Sequence, residues 1–159
     1  MLPLLMRAPK RNLIMDFKVN SRGMRNNNPG NIRLGNDWKG EKPGSDGQFE
    51  AFTSVEYGIR AIYKLIDSYK KNYKAITIEA IISRYAPTSE NATARYIQDV
   101  LSYMMKNSYN EQSQYLIKDK AHTDVHLTGL LPLFIGGIIL VENGFQPFNF
   151  EFIQGCQTL

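Results

Sequence analysis

Leu130-Leu131-Pro132-Leu133-Phe134-Ile135-Gly136-Gly137-Ile138-Ile139-Leu140-Val141-Glu142-Asn143-Gly144 is the stretch on which the fold turns. It is apolar on nearly every side, the pattern of a helix buried on all faces. Asn143-Gly144 supplies a natural helix stop. A helix from about 127 to 142 is therefore expected. Its apolar run, Leu130 to Val141, falls short of the roughly 20 residues that cross a bilayer, so no membrane span is expected and the cover must come from other helices.

Periodicity upstream supplies that cover. Thr53-Ser54-Val55-Glu56 carries a capping-box signature, and Ile59, Ile62, Ile66, Tyr69 and Tyr73 follow at three- and four-residue spacing. This predicts a helix over about 54–73. A second starts at Thr77, carries Ile78, Ile81, Ile82 and Tyr85 on one side, and stops before Pro87, because proline pushes its predecessor out of helical geometry. Tyr96, Ile97, Val100, Leu101 and Met104 give a third over about 91–106. Residues 107–126 are polar, with one or two helical turns around Tyr115, Leu116 and Ile117. Between Arg25 and Gly47 the chain is rich in Asn, Gly, Asp and Pro, which favour turns and short extended pieces. The fold class is mainly α, with α+β as the upper limit of strand content. No internal repeat appears.

At 159 residues with 43% hydrophobic content the chain suits one domain with a sizeable core. That domain is expected over 22–159, preceded by an N-terminal arm over 1–21 that shows no periodicity and no recognisable export signal. Nineteen basic against 15 acidic residues leave a net charge of +4, a mild tilt that suits an anionic partner. Arg7, Lys10, Arg11, Lys18, Arg22 and Arg25 cluster near the N-terminus, but no aromatic interleaving or groove-reading helix goes with them, which argues against nucleic acid. A single cysteine, Cys156, excludes an intramolecular disulfide. His122 and His126 have the spacing of a zinc-binding helix, yet Thr123 stands where zinc proteases carry their glutamate base. No metal site and no cofactor are expected.

Two stretches carry a resemblance. The first runs Arg22-Gly23-Met24-Arg25-Asn26-Asn27-Asn28-Pro29-Gly30-Asn31-Ile32-Arg33, then Trp38-Lys39-Gly40, Phe49, Phe52, Tyr57-Gly58-Ile59-Arg60-Ala61, Tyr85-Ala86-Pro87 and Glu90-Asn91-x-Thr93-x-x-Tyr96-Ile97. It looks like a small phage and prophage virion-protein family that opens on R-G-[IM]-R-N-N-N-P-G-N-I-R, over roughly residues 22–148. More distantly it resembles the glucosaminidase domains of the lysozyme superfamily, whose catalytic glutamate precedes the Asn-rich turn. Here residues 1–28 hold no glutamate and only Asp16 as an acid. The second stretch, Ile138-Ile139-Leu140-Val141-Glu142-Asn143-Gly144-Phe145-Gln146-Pro147, resembles the Ile-x-x-x-Glu-Ser-Gly-Phe-Asn-Pro segment of lytic transglycosylases, where the glutamate ends a buried helix. Together they imply a lysozyme-like single domain in circularly permuted order, the usual first helix coming last and Glu142 returning to a groove beside the Asn-rich loop.

What the resemblance implies is cleavage of the glycan strands of bacterial peptidoglycan, by a lytic transglycosylase, N-acetylglucosaminidase or muramidase, with Glu142 as general acid/base. Such an acid must be protonated near neutral pH, and both burial and the negative end of a helix dipole favour that form. Hydrolases add a second carboxylate, for which Asp46, Glu50 and Glu90 are candidates; a transglycosylase needs none, because the sugar's own hydroxyl completes the displacement. Asn28, Asn31, Trp38, Phe52, Tyr85, Glu90 and Tyr96 are the expected substrate-binding residues, the amides for N-acetyl groups and the rings for sugar faces. Glu90-Asn91 also reads as a helix cap, and Arg60 as a structural, carbonyl-binding or ion-paired arginine. The expected partners are peptidoglycan and other virion proteins, with a place of action in the cell wall or periplasm. The competing reading is a non-catalytic virion or glycan-gripping protein of the same shape.

Overall fold

The computed structural model describes residues 21–44, 46–86 and 89–159. All of the expected arm over 1–21 except Ser21, with its basic residues Arg7, Lys10, Arg11 and Lys18, lies outside the described residues, as does Pro87. Among the described residues, seven helices and one small hairpin follow in order: α1 (Arg22–Arg25), β1 (Glu41–Lys42), β2 (Ala51–Phe52), α2 (Val55–Tyr73), α3 (Ile78–Tyr85), α4 (Glu90–Asn107), α5 (Glu111–Lys118), α6 (Leu131–Asn143) and α7 (Phe150–Gly155), with a 3₁₀ turn over Cys156–Thr158. The strands pair antiparallel, Glu41 opposite Phe52 and Lys42 opposite Ala51. The protein is thus mainly α, and no described helix is long and apolar enough to cross a membrane.

The central element is α6, buried from Leu131 through Ile139. It starts four residues later than expected: Gly129 takes a left-handed φ of 73°, which stops a helix from passing through it, and Pro132 occupies the first turn, where its missing N–H costs nothing. Gly144 closes the other end at φ 78°, its N–H reaching the Leu140 carbonyl at 2.8 Å. Gly136 and Gly137 let α4 come close. A Cβ on Gly136 would stand 2.7 Å from the Tyr103 hydroxyl, and one on Gly137 2.9 Å from Val100 Cγ1.

Around this helix the expected periodicity is realised. Ile59, Ile62 and Ile66 of α2, Ile78, Ile81 and Ile82 of α3, and Ile97, Val100 and Met104 of α4 are all buried in one continuous core. Burial of this kind is worth about 1.5–3 kcal/mol per large aliphatic side chain. The stripe on α2 ends early, since Tyr73 is exposed. Thr77, Ser89 and Asn110 cap α3, α4 and α5 through their side chains. The capping box of α2 is not made: Ser54 is its N-cap residue, and the Thr53 hydroxyl donates instead to the Gly40 carbonyl at 3.2 Å, beside the Thr53 N–H bond to the same oxygen. Arg60 binds a carbonyl, donating from Nε to Leu159 at 2.9 Å. The buried Tyr63 hydroxyl donates to the Ile153 carbonyl at 3.0 Å, so α2 holds both ends of the C-terminal segment. That segment, α7 included, had no counterpart in the sequence reading.

Candidate active site

The Asn-rich loop is built from amide side chains that take over backbone hydrogen bonding. Asn28 is fully buried; its Nδ2 donates to the carbonyls of Ile32 and Glu50, both at 2.9 Å, and its Oδ1 accepts the Ile32 N–H at 3.0 Å. Asn27 donates from Nδ2 to the Phe52 carbonyl at 3.0 Å. Asn27 and Asn31 adopt left-handed backbones, φ 51° and 48°, a conformation asparagine tolerates better than most residues. Against the back of the loop lies Gly58 of α2, where any Cβ would collide with the Asn27 carbonyl.

Two residues tie this loop to the C-terminal end of α6. Asn143 donates from Nδ2 to the Pro29 carbonyl at 2.7 Å and to Ile139 at 2.9 Å, while its Oδ1 accepts from the Ser21 hydroxyl at 2.7 Å. Asn31 donates from Nδ2 to the Glu142 carbonyl at 3.3 Å. Residues more than a hundred positions apart are thereby brought to one edge.

That edge opens into a groove of about 790 Å³. One side is the loop, with Asn31, Arg33, Leu34 and Phe49; α2, α3 and α4 contribute Leu65, Tyr69, Arg84, Tyr85 and Tyr96; Val141 and Glu142 come from the end of α6. Of the sequence-predicted site residues, Glu142, Asn31, Tyr85 and Tyr96 meet here. The other four do not. Asn28 and Phe52 are wholly interior, one spent on backbone bonds and the other in the core, so neither can touch a substrate. Trp38 packs half-buried against the core outside the groove, and Glu90 sits exposed in the first turn of α4 on a separate depression with Glu79 and Ser83. The cap of that helix is Ser89, not the Glu90-Asn91 pair.

None of the three candidate second carboxylates lines the groove. Asp46 accepts the N–H groups of Gln48 and Phe49 at 3.0 and 3.2 Å, which hold its carboxyl below the ordinary range. Glu50 is buried in the loop, its carboxyl raised by desolvation and by Glu41 nearby. Glu142 is the one acid among the described groove residues. Burial pushes its carboxyl up to about 7, against opposing pulls from the Arg33 guanidinium and the Asn31 side chain. Such a group is part protonated at neutral pH and can both give and take a proton.

The two tyrosines differ in what their hydroxyls do. Tyr85 donates to the Gly30 carbonyl and so props up the loop immediately before Asn31. The Tyr96 hydroxyl is buried without a hydrogen-bond partner, as is Asn31 Oδ1. Burial, with Glu142 adding to it, raises both phenols well above their ordinary value, so they remain neutral donors. Arg33, Tyr69 and Arg84 are groove residues to which the sequence reading gave no role there; Arg33 was in plain view as the last residue of the Asn-rich motif.

The two histidines lie in a turn, not on one helix face. His122 is exposed and pairs with Asp119 at 2.8 Å, and His126 has Nδ1 3.7 Å from Asp67. No cluster of three or more potential metal ligands occurs among the described residues.

Comparison with known proteins finds Protein P5 of Pseudoalteromonas phage PM2, 34% identical over 139 residues that cover 84% of this chain and 78% of the phage protein. No family model matches the chain.

Proposed function

This chain belongs to the family of Protein P5 of phage PM2, and from that premise we propose that it is a phage-encoded enzyme that cuts the glycan strands of bacterial peptidoglycan, with Glu142 as general acid/base. The observation that carries the reading is Glu142 itself: a lone carboxyl at the end of a buried helix, lifted to about 7, in an open groove with Tyr69, Tyr85 and Tyr96. On this reading α6 is the counterpart of the catalytic helix of lysozyme-like enzymes, permuted to the end of the chain.

The chemistry follows from having one acid. Protonated Glu142 donates its proton to the glycosidic oxygen as the C1–O bond breaks and the sugar becomes oxocarbenium-like. The resulting carboxylate then takes the proton of the sugar's own 6-hydroxyl as that oxygen closes on C1. The product is an anhydro sugar and the acid is regenerated. A two-carboxylate hydrolase needs a partner about 5–9.5 Å away, and the described groove supplies none, which favours the transglycosylase outcome. Asn31 Oδ1 and the Tyr96 hydroxyl are buried polar atoms without a protein partner at the wall of this groove. Peptidoglycan is the substrate, and a virion that carries the protein to the cell wall is its proposed setting.

Mass spectrometry of purified peptidoglycan after incubation with wild-type protein and with Glu142→Gln tests this. Anhydro-ended fragments from the wild type alone are expected. Reducing-end fragments would reassign the chemistry to hydrolysis. Fragments from neither protein would overturn the enzymatic reading and leave a glycan-gripping virion component.

A further inference from the structure

Two guanidiniums line the same groove as Glu142, and neither makes an ion pair with a described residue. Each is instead held on an aromatic face. Arg33 lies with Cζ 4.8 Å from the centroid of Phe49, and Arg84 with Cζ 3.4 Å from that of Tyr73. Stacking fixes the plane of a guanidinium while leaving its N–H edge available, the geometry that grips a carboxylate through two parallel hydrogen bonds. Arg22 shares the Phe49 ring but stands 3.9 Å from Asp46, so its charge is already answered.

The groove therefore carries two guanidiniums, neither in an ion pair with a described residue, against a single carboxyl, Glu142, on which Arg33 acts at longer range. A neutral glycan offers them hydrogen-bond acceptors but no countercharge. We propose that Arg33 and Arg84 form a carboxylate-reading subsite, by which the groove selects glycans bearing acidic substituents, the muramoyl units of peptidoglycan, over neutral N-acetylglucosamine polymers. This rests on the glycan-cleaving reading above and deepens it. The carboxylate can be that of the lactyl group or those of the peptide stem; both present the same chemistry to a guanidinium.

Binding of the full-length Glu142→Gln protein, which keeps the groove but not the acid, separates the possibilities by calorimetry with three soluble ligands. These are stem-bearing peptidoglycan fragments, the same glycan stripped of stems so that only lactyl carboxylates remain, and a chitin oligomer of equal length. At least one carboxylated ligand should bind about tenfold or more tightly than chitin, since a charge-assisted bond is the difference. Tight binding of the stripped glycan assigns the lactyl group; tight binding of the stem-bearing ligand alone assigns the stem. Adding Arg33→Gln and Arg84→Gln should collapse the preference to within about twofold and leave chitin binding unchanged, with the Lys variants recovering part of it. Equal affinity for all three ligands, indifferent to the arginines, overturns the subsite while leaving glycan recognition intact. Failure to bind any glycan overturns the functional reading and the subsite with it.

Discussion

If burial raises the Glu142 carboxyl, Glu142→Gln should make the protein more stable, and by an amount that depends on pH. A folded-state value of about 7 against an ordinary 4.5 corresponds to about 3 kcal/mol, each pH unit between them being worth about 1.36 kcal/mol. Below pH 4.5 the carboxyl is protonated in both the folded and the unfolded chain and contributes no pH dependence. As the pH rises towards 7 the unfolded chain ionises freely and the folded one does not, so unfolding gains ground. Above 7 both are ionised and the loss is complete. Glutamine cannot ionise. The stability of the Gln variant relative to wild type should therefore climb between about pH 4.5 and 7 and then level off, the total rise being about 2–3 kcal/mol once water in the open groove screens part of the effect. Urea unfolding of both proteins at half-unit pH steps measures it. A difference between the two that stays flat within about 0.5 kcal/mol from pH 4 to 8 would refute the claim that Glu142 is desolvated, and with it the basis for the acid role proposed for it.

The Arg33 guanidinium holds the Glu142 carboxyl lower than burial alone would. On the proposed chemistry the protonated form is the active one, so kcat/KM should fall as pH rises through about 7, and Arg33→Gln should move that alkaline limb upward; an unmoved or lowered limb contradicts the coupling. Asn143→Ala removes both Nδ2 bonds, to Pro29 and Ile139, and the bond accepted from Ser21, which should cost about 2–4 kcal/mol in chemical denaturation. A protein unfolding at the wild-type midpoint would mean that the loop is held by other contacts.

How far the sequence reaches depends on whether the responsible interaction is local. Three of the four principal helices were legible within one or two residues at both ends, because their stop signals and the spacing of Ile59, Ile62 and Ile66, or of Ile97, Val100 and Met104, lie within each segment. The fourth, α6, was legible in kind and in its end but not in its start, where the backbone of Gly129 decides. Thr53 failed as a cap because its hydroxyl is taken by Gly40, thirteen residues away, in a contact that no local rule anticipates. Asn28 and Phe52 were misjudged for a related reason. Residue type shows that an amide can bind a sugar, but orientation decides whether it is spent on Ile32 and Glu50 first. Glu90 shares a motif with Tyr96 and not a surface, since α4 carries one into the groove and the other to a separate depression.

The meeting of Glu142 with the Asn-rich loop has no local signal at all, and its cause lies in how a helix ends. The last carbonyls of any α-helix lack intrahelical partners. In α6 the Leu140 carbonyl is met by Gly144, within the chain's own turn, but the Glu142 carbonyl is met by Asn31 from the far end of the sequence. Asn31 can do this because its left-handed backbone turns the chain there, and its amide supplies the donor. Asn143 reciprocates by donating to Pro29. Closing the helix and building the groove are thus the same set of bonds. The acid is brought beside Asn31, Tyr85 and Tyr96 as a consequence of satisfying backbone groups that would otherwise be left bare. A substitution at Asn31 or Asn143 therefore cannot be read as purely structural or purely functional, since each unties the helix end and moves Glu142 in one step.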